Sequence, residues 1–71
     1  MMRPLSRAER EQLLRLRRQP HEASWLNPGL NRLRRDGLVA SAPLIRPSGA
    51  MSKYREWSIT DAGRQALKEQ L

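Results

Sequence analysis

The chain has 71 residues and carries a formal net charge of +7, because 14 Lys and Arg residues stand against 7 Asp and Glu residues. This length predicts one domain over residues 1–71 with a small core. The chain has no cysteine, a single histidine and no long apolar run. These features exclude disulfides, a Cys/His zinc site, a membrane span and a secretion signal. We therefore expect a cytoplasmic protein.

The first predicted element is a helix that begins after Ser6. Ser6 and Glu9 have the spacing of a capping box, in which each side chain accepts a hydrogen bond from the other residue's backbone N–H. Pro20 ends a helical pattern, so the helix should run to about Arg18. The residues expected on its inward face are Leu13 and Leu16, with Ala8 behind them.

The next stretch, residues 21–26, has no clear periodicity. Its sequence predicts little more than one helical turn over residues 22–26, with Trp25 or Leu26 filling the core between the flanking helices. His21 follows a proline at an expected surface turn, where a solvated histidine is the ordinary case. We therefore assign His21 no role.

A short basic helix is predicted over residues 28–36. Asn27 is a good N-cap residue, Pro28 suits the first helical position, and Gly37 can adopt the left-handed conformation that ends a helix. Leu30 and Leu33 share one face. The opposite face carries Asn31, Arg32 and Arg35, with Arg34 at the edge of the leucine stripe. Such a face can be simply solvated, but arginine also suits bidentate contacts to phosphate or guanine.

Two strands are predicted after this helix, over residues 39–46 and 53–59, with a turn or open loop over residues 47–52. Alternation places Trp57 and Ile59 toward the core, although Trp57 could instead be a base-stacking platform. Pro43 cannot donate to a ladder, so its strand should be short, irregular or at the edge of the sheet. The basic residues around the hairpin tip are Arg46, Lys53 and Arg55.

The last predicted helix follows Thr60, which can cap it, and Asp61, which complements the helix dipole. Its narrow apolar side is expected to consist of Ala62, Ala66, Leu67 and Leu71. Leu14, Leu67 and Leu71 could build a homodimer seam or cover the first helix.

The segments from Leu30 to Val39 and from Trp57 to Leu67, separated by a hairpin, together resemble the winged helix-turn-helix domain of bacterial regulators of the MarR and PadR kind. The resemblance implies an α+β winged helix with a three-helix core, a β-hairpin wing and a C-terminal helix. The segment before the basic helix is short, so the second helix is expected to be vestigial. In its small size the chain is similar to accessory winged-helix proteins of bacteriophage and mobile-element genomes.

This resemblance implies a double-stranded DNA-binding protein in a bacterial host, either a small transcriptional regulator or an architectural factor. Helix 28–36 would lie in the major groove, and the wing over residues 44–55 would lie on the backbone or in a minor groove. The residues of the groove-facing side would be Asn27, Asn31, Arg32 and Arg35, with Arg34 on the flank. The wing would offer Arg46, Ser48, Lys53 and Arg55 to phosphates.

The main alternative is a protein-interaction module that uses the same fold to dock on an acidic surface of a host or phage protein. Trp25 or Tyr54 would then be an exposed anchor, and one readily quenched tryptophan would favour this reading. RNA binding has less support, because we expect no exposed aromatic platform. We expect no enzyme, cofactor, metal site, small-molecule substrate or membrane partner, since no phosphate-cradling glycine loop, nucleophile elbow or metal-ligand cluster is present.

Overall fold

The computed structural model describes residues 4–70, which form three α-helices and one three-stranded antiparallel sheet. In chain order the elements are α1 (Arg7–Arg18), β1 (His21–Ser24), α2 (Pro28–Arg35), β2 (Val39–Ile45), β3 (Met51–Ile59) and α3 (Asp61–Gln70). The chain is thus a small α+β protein. Among the described residues, none of the helices has the length and apolar character needed to cross a bilayer.

The sheet has the order β1-β3-β2, so β3 is the central strand. Ala23, Arg55 and Pro43 lie side by side across the three strands. Pro43 is therefore on an edge strand, and the β2–β3 pairing is irregular between Pro43 and Ile45. Both observations confirm the expectation for this proline, which has no N–H to donate to a ladder.

The start of α1 confirms the predicted capping box. The Glu9 N–H donates to Ser6 Oγ at 3.2 Å, and the Ser6 N–H donates to Glu9 Oε1 at 3.0 Å. These two bonds satisfy backbone donors that the first turn of a helix leaves without partners. The helix ends at Arg18, as predicted, and Gln19 is already extended.

Ser6→Ala is expected to lower the free energy of unfolding by about 1 kcal/mol, because it leaves the Glu9 N–H without its acceptor. For a domain of this size the melting temperature should fall by roughly 4–8 °C, which circular dichroism can measure. Ser48→Ala removes a hydroxyl from an exposed turn residue and is the matched control, with an expected change within about 0.5 kcal/mol. Equal melting temperatures for the Ser6 variant and the control would contradict a stabilising role for the capping box.

The helical turn predicted over residues 22–26 is wrong, because residues 21–24 form strand β1 and pair with β3. A helix of five residues is marginal by itself, whereas a strand here satisfies backbone groups that β3 would otherwise leave unpaired. Trp25 and Leu26 are 51% and 65% exposed and do not fill the core. His21 is half-buried in β1 and not at a surface turn.

This strand also corrects the expected three-helix core. Within residues 4–70 no helix lies between α1 and α2, and α3 is the third helix in the chain. The short link that was expected to hold a vestigial second helix is instead an edge strand of the sheet.

Helix α2 begins at Pro28 as predicted and ends at Arg35, one residue before the predicted end. Asn27 Oδ1 accepts from the Leu30 N–H at 3.0 Å, and Pro28 occupies the first turn. Gly37 has a φ of 76°. The Leu38 N–H donates to the Leu33 carbonyl and the Gly37 N–H to the Arg34 carbonyl, each at 3.0 Å, which is the pattern of a Schellman C-cap.

The hairpin and the cap of α3 also agree with the sequence analysis, although β3 begins two residues before the predicted start at Lys53. The turn between the strands is closed by the Arg46 N–H, which donates to the Ala50 carbonyl at 2.8 Å. Thr60 Oγ1 accepts from the Gly63 N–H at 3.0 Å and donates to the Gly37 carbonyl at 2.7 Å, so it joins α3 to the end of α2.

The core lies between the helices and one face of the sheet, and α1 packs against α2, α3 and β3. Its largest fully buried side chains are Trp57, Leu13, Leu33, Leu38 and Leu67. Trp57 is thus a core residue, as its place in the strand alternation predicted, and not a base-stacking platform. Its indole Nε1–H donates to the Ala23 carbonyl at 3.2 Å.

Two expectations about apolar residues are wrong. Ala8 is exposed, because the inward positions near the start of α1 are taken by Leu5 and Glu9. Ala62 is exposed as well, and the neighbouring Gly63 is the buried residue of that turn. Leu67 is fully buried and Leu14 packs against the core, which agrees with the second of the two roles expected for them. The expectation for Leu71 lies outside the described residues.

Candidate functional site

The exposed face of α2 is cationic. Arg32, Arg34 and Arg35 are all exposed, while Leu30 and Leu33 are buried on the opposite side of the helix. Within residues 4–70 no acidic side chain forms an ion pair with these three guanidinium groups; the ion pairs there join Arg7 to Glu11 and Arg64 to Asp61. The three arginines also lie in the last turns of α2, where positive charge complements the helix dipole. That local effect does not use the guanidinium hydrogen-bond donors, which remain available to an anionic partner.

The two asparagines predicted to face a groove have local structural roles. Asn27 Oδ1 is the acceptor that caps α2. Asn31 Nδ2 donates to the Trp25 carbonyl at 2.7 Å and to the Asn27 carbonyl at 3.1 Å. Bidentate contact to adenine needs the amide as both donor and acceptor, and in this arrangement both N–H groups of Asn31 are engaged. The exposed polar side chains of α2 are therefore its arginines.

Trp25 connects α2 to the sheet through its backbone. Its N–H donates to the Lys53 carbonyl at 3.2 Å, and its carbonyl accepts from Asn31. These bonds connect the first half of α2 to β3 through the link between β1 and α2.

The hairpin carries its positive charge toward the tip, and its acidic residue, Glu56, lies in the second half of β3. No Asp or Glu occurs in residues 37–55. Arg46, Ser48 and Lys53 are exposed.

Arg55 differs from the other predicted wing residues. It is half-buried in the three-stranded part of the sheet, where it lies between Ala23 and Pro43. Its Nε atom is buried, and in the described part of the chain no acceptor lies within hydrogen-bond distance. The side chain lines a surface groove and does not project from the tip of the hairpin.

The groove is a feature that the sequence analysis missed. It has a volume of about 300 Å³. It is lined by Trp25, Pro43, Met51, Ser52 and Arg55. We expected Trp25 or Leu26 in the core, although Leu30 and Leu33, a few residues later, already supply apolar side chains to it. Trp25 and Leu26 are therefore more apolar residues than the core needs at this point of the chain, and this excess could have indicated that Trp25 is exposed.

Comparisons of the chain with protein-family models, with curated proteins and with solved structures find no match.

Proposed function

We propose that this protein binds double-stranded DNA in the manner of a winged helix and acts as a small transcriptional regulator or architectural factor. In this proposal α2 enters the major groove, and the wing over residues 44–55 contacts the sugar-phosphate backbone. The observation that carries the proposal is the exposed face of α2, whose arginines have no acidic partner within residues 4–70.

The dimensions of α2 suit this role. An α-helix with its side chains is about 10–12 Å in diameter, and the major groove is about 12 Å wide. Arg32 and Arg35 project from the side opposite the buried leucines, so they would meet base edges or phosphates when the helix enters the groove. Each bidentate contact from arginine to guanine would favour the correct base by about 1–3 kcal/mol.

The segment between α1 and α2 supports the proposal although it contains a strand in place of a second helix. A second helix would normally brace the helix that enters the groove. Here the bond from Asn31 to the Trp25 carbonyl and the bond from Trp25 to Lys53 brace α2 against the sheet. The wing and α2 are thereby held in a fixed relation, which simultaneous contact with a groove and the adjacent backbone requires.

Binding of a random-sequence duplex at about 50 and 200 mM salt tests this proposal, because phosphate contacts release counterions. If about five phosphates are neutralised, affinity should fall by roughly 500-fold between the two salt concentrations. Fluorescence anisotropy of a labelled duplex can measure both constants. No binding at the lower salt concentration would refute the proposal.

The double substitution Arg32→Ala and Arg35→Ala is expected to weaken duplex binding by at least about 10-fold and to reduce the salt dependence. Both side chains are exposed, so the melting temperature should change little. The matched control removes the same charge from α3 through Arg64→Ala and Lys68→Ala, which are also exposed. Equal losses in the two double variants would show that net charge alone drives binding and that α2 has no special role.

A second candidate function is docking on an acidic protein surface. The observation that favours it is the exposure of Trp25 and Tyr54, since aromatic anchors surrounded by charge are typical of protein interfaces. The arginines of α2 would then steer the encounter. The duplex titration separates the two functions, because a docking module has no reason to bind random DNA with counterion release.

A further inference from the structure

The groove beside the wing has two features that a solvated surface does not require. One wall is Trp25, which is 51% exposed although burial of its indole ring would be favourable. The lining also includes Arg55, whose guanidinium group forms no ion pair within residues 4–70. An occupant that carries an anionic oxygen would therefore be favoured there.

The walls of the groove specify the occupant further. Pro43 and Met51 are apolar and, with the Trp25 ring, suit a flat apolar group. Lys53 follows directly after the groove residue Ser52, and residues 37–55 contain no carboxylate, so an anionic group is attracted to the same place. A flat ring and an anionic oxygen together are what one unpaired nucleotide offers, since every base has a π-face and every nucleotide has a phosphate.

Two other occupants fit less well. A second copy of this chain would bring two cationic hairpin tips together, which like-charge repulsion disfavours. A purely apolar side chain would fill the space but would leave the Arg55 guanidinium without an anionic partner.

We propose that the groove formed by Trp25, Pro43, Met51 and Arg55 binds a single unpaired nucleotide of DNA, with the base stacked on Trp25 and an acceptor oxygen on Arg55. The inference rests on the proposed function, because α2 would hold the adjacent duplex. Bases within an intact duplex are stacked on one another and cannot enter the groove. The protein therefore prefers duplexes that carry an overhang, a gap or an extruded base over fully paired DNA.

The two tryptophans provide a direct test. Trp57 is fully buried and Trp25 is half-exposed, so a change in emission on binding reports on Trp25. A blunt duplex of about two helical turns is compared with the same duplex carrying a short single-stranded thymidine overhang. We expect quenching of Trp25 only with the overhang, and binding of the overhang duplex that is roughly 5- to 150-fold tighter, as base stacking on an aromatic side chain provides.

Substitutions then locate the effect. Trp25→Ala should abolish the preference for the overhang while leaving the affinity for the blunt duplex unchanged, and Trp25→Phe should retain most of the preference. Tyr54→Ala is the matched control, since Tyr54 is 54% exposed but is not among the residues that line the groove. Arg55→Lys keeps the charge but lacks the Nε donor, and it should lower the preference. In Trp25→Ala the remaining emission comes from Trp57 and verifies that the variant is folded.

Each contrary outcome has a distinct meaning. Equal affinity for the two duplexes, with no change in Trp25 emission, would overturn the inference while the proposed function stands. Failure to bind either duplex at low salt would overturn the proposed function itself. Quenching of Trp25 that depends on protein concentration alone would identify a second copy as the occupant. A poly-glutamate peptide that contains phenylalanine can be added in place of DNA. If this peptide quenches Trp25 and the overhang duplex does not, the occupant of the groove is an acidic protein segment.

Discussion

Gly63→Ala is expected to destabilise the protein by about 3 kcal/mol or more, because a Cβ atom at this position has no space. It would overlap the Leu38 carbonyl oxygen and lie 2.7 Å from Ile59 Cγ1. The Leu38 carbonyl is backbone and is held by a hydrogen bond from the Thr60 N–H at 3.1 Å, so it cannot move aside cheaply. A single core in a chain of this size rarely provides more than about 3–5 kcal/mol, so the variant should be largely unfolded.

Urea denaturation followed by circular dichroism measures this effect. Gly29→Ala is the matched control, because a Cβ there would meet only Asn27 Oδ1, at an ordinary distance of 3.5 Å. Alanine is also a better helix former than glycine, so the control should be unchanged or more stable by up to about 1 kcal/mol. A Gly63→Ala variant as stable as the control would contradict the close packing of α3 on the segment that follows α2.

Trp57→Ala is the second substitution with a large expected effect, a loss of about 3–5 kcal/mol. Trp57 is the largest fully buried side chain, and its indole also donates to the Ala23 carbonyl. Removal of the ring leaves a cavity beneath the centre of the sheet and removes a bond between β3 and β1. We expect loss of the cooperative thermal transition, because the cost is comparable to the total stability of so small a domain.

The control for this substitution is Trp25→Ala, which removes the same side chain from an exposed position. Its cost should be small, within about 0.5 kcal/mol, because the interactions that Trp25 makes with Lys53 and Asn31 use only its backbone. Trp57→Phe should lie between the two, since it retains most of the buried ring but leaves the Ala23 carbonyl without its donor. A Trp25→Ala variant as unstable as Trp57→Ala would contradict the assignment of one tryptophan to the core and one to the surface.

The groove could not be predicted from the local sequence. Its residues come from the link after β1 and from both strands of the hairpin, and the arrangement depends on β1 pairing with β3. The sequence His21-Glu-Ala-Ser24 has little intrinsic preference for a strand, so nothing local predicted that pairing. Arg55 was predicted to contact phosphate as a basic residue of the wing, and only the fold places it in one groove with Trp25.

Features whose physical cause lies within a few residues could be predicted from the amino-acid sequence. These are the capping box at Ser6, the cap at Asn27, the stop at Gly37, the cap at Thr60, and the inward alternation of Trp57 and Ile59 in the hairpin. Each depends on a side chain bonding to backbone close by, or on a conformation that one residue type favours.

The pairing of the strands and the choice of apolar residues that stay outside the core depend instead on contacts between distant parts of the chain. A strand at residues 21–24 exists because the free edge of β3 offers hydrogen bonds that a short helical turn could not match. Trp25 is exposed because the space beneath the sheet is already filled by Trp57 and the leucines of three elements. Both outcomes depend on groups that are distant in sequence and compete for one small core. The local pattern of apolar and polar residues cannot predict which of them is buried.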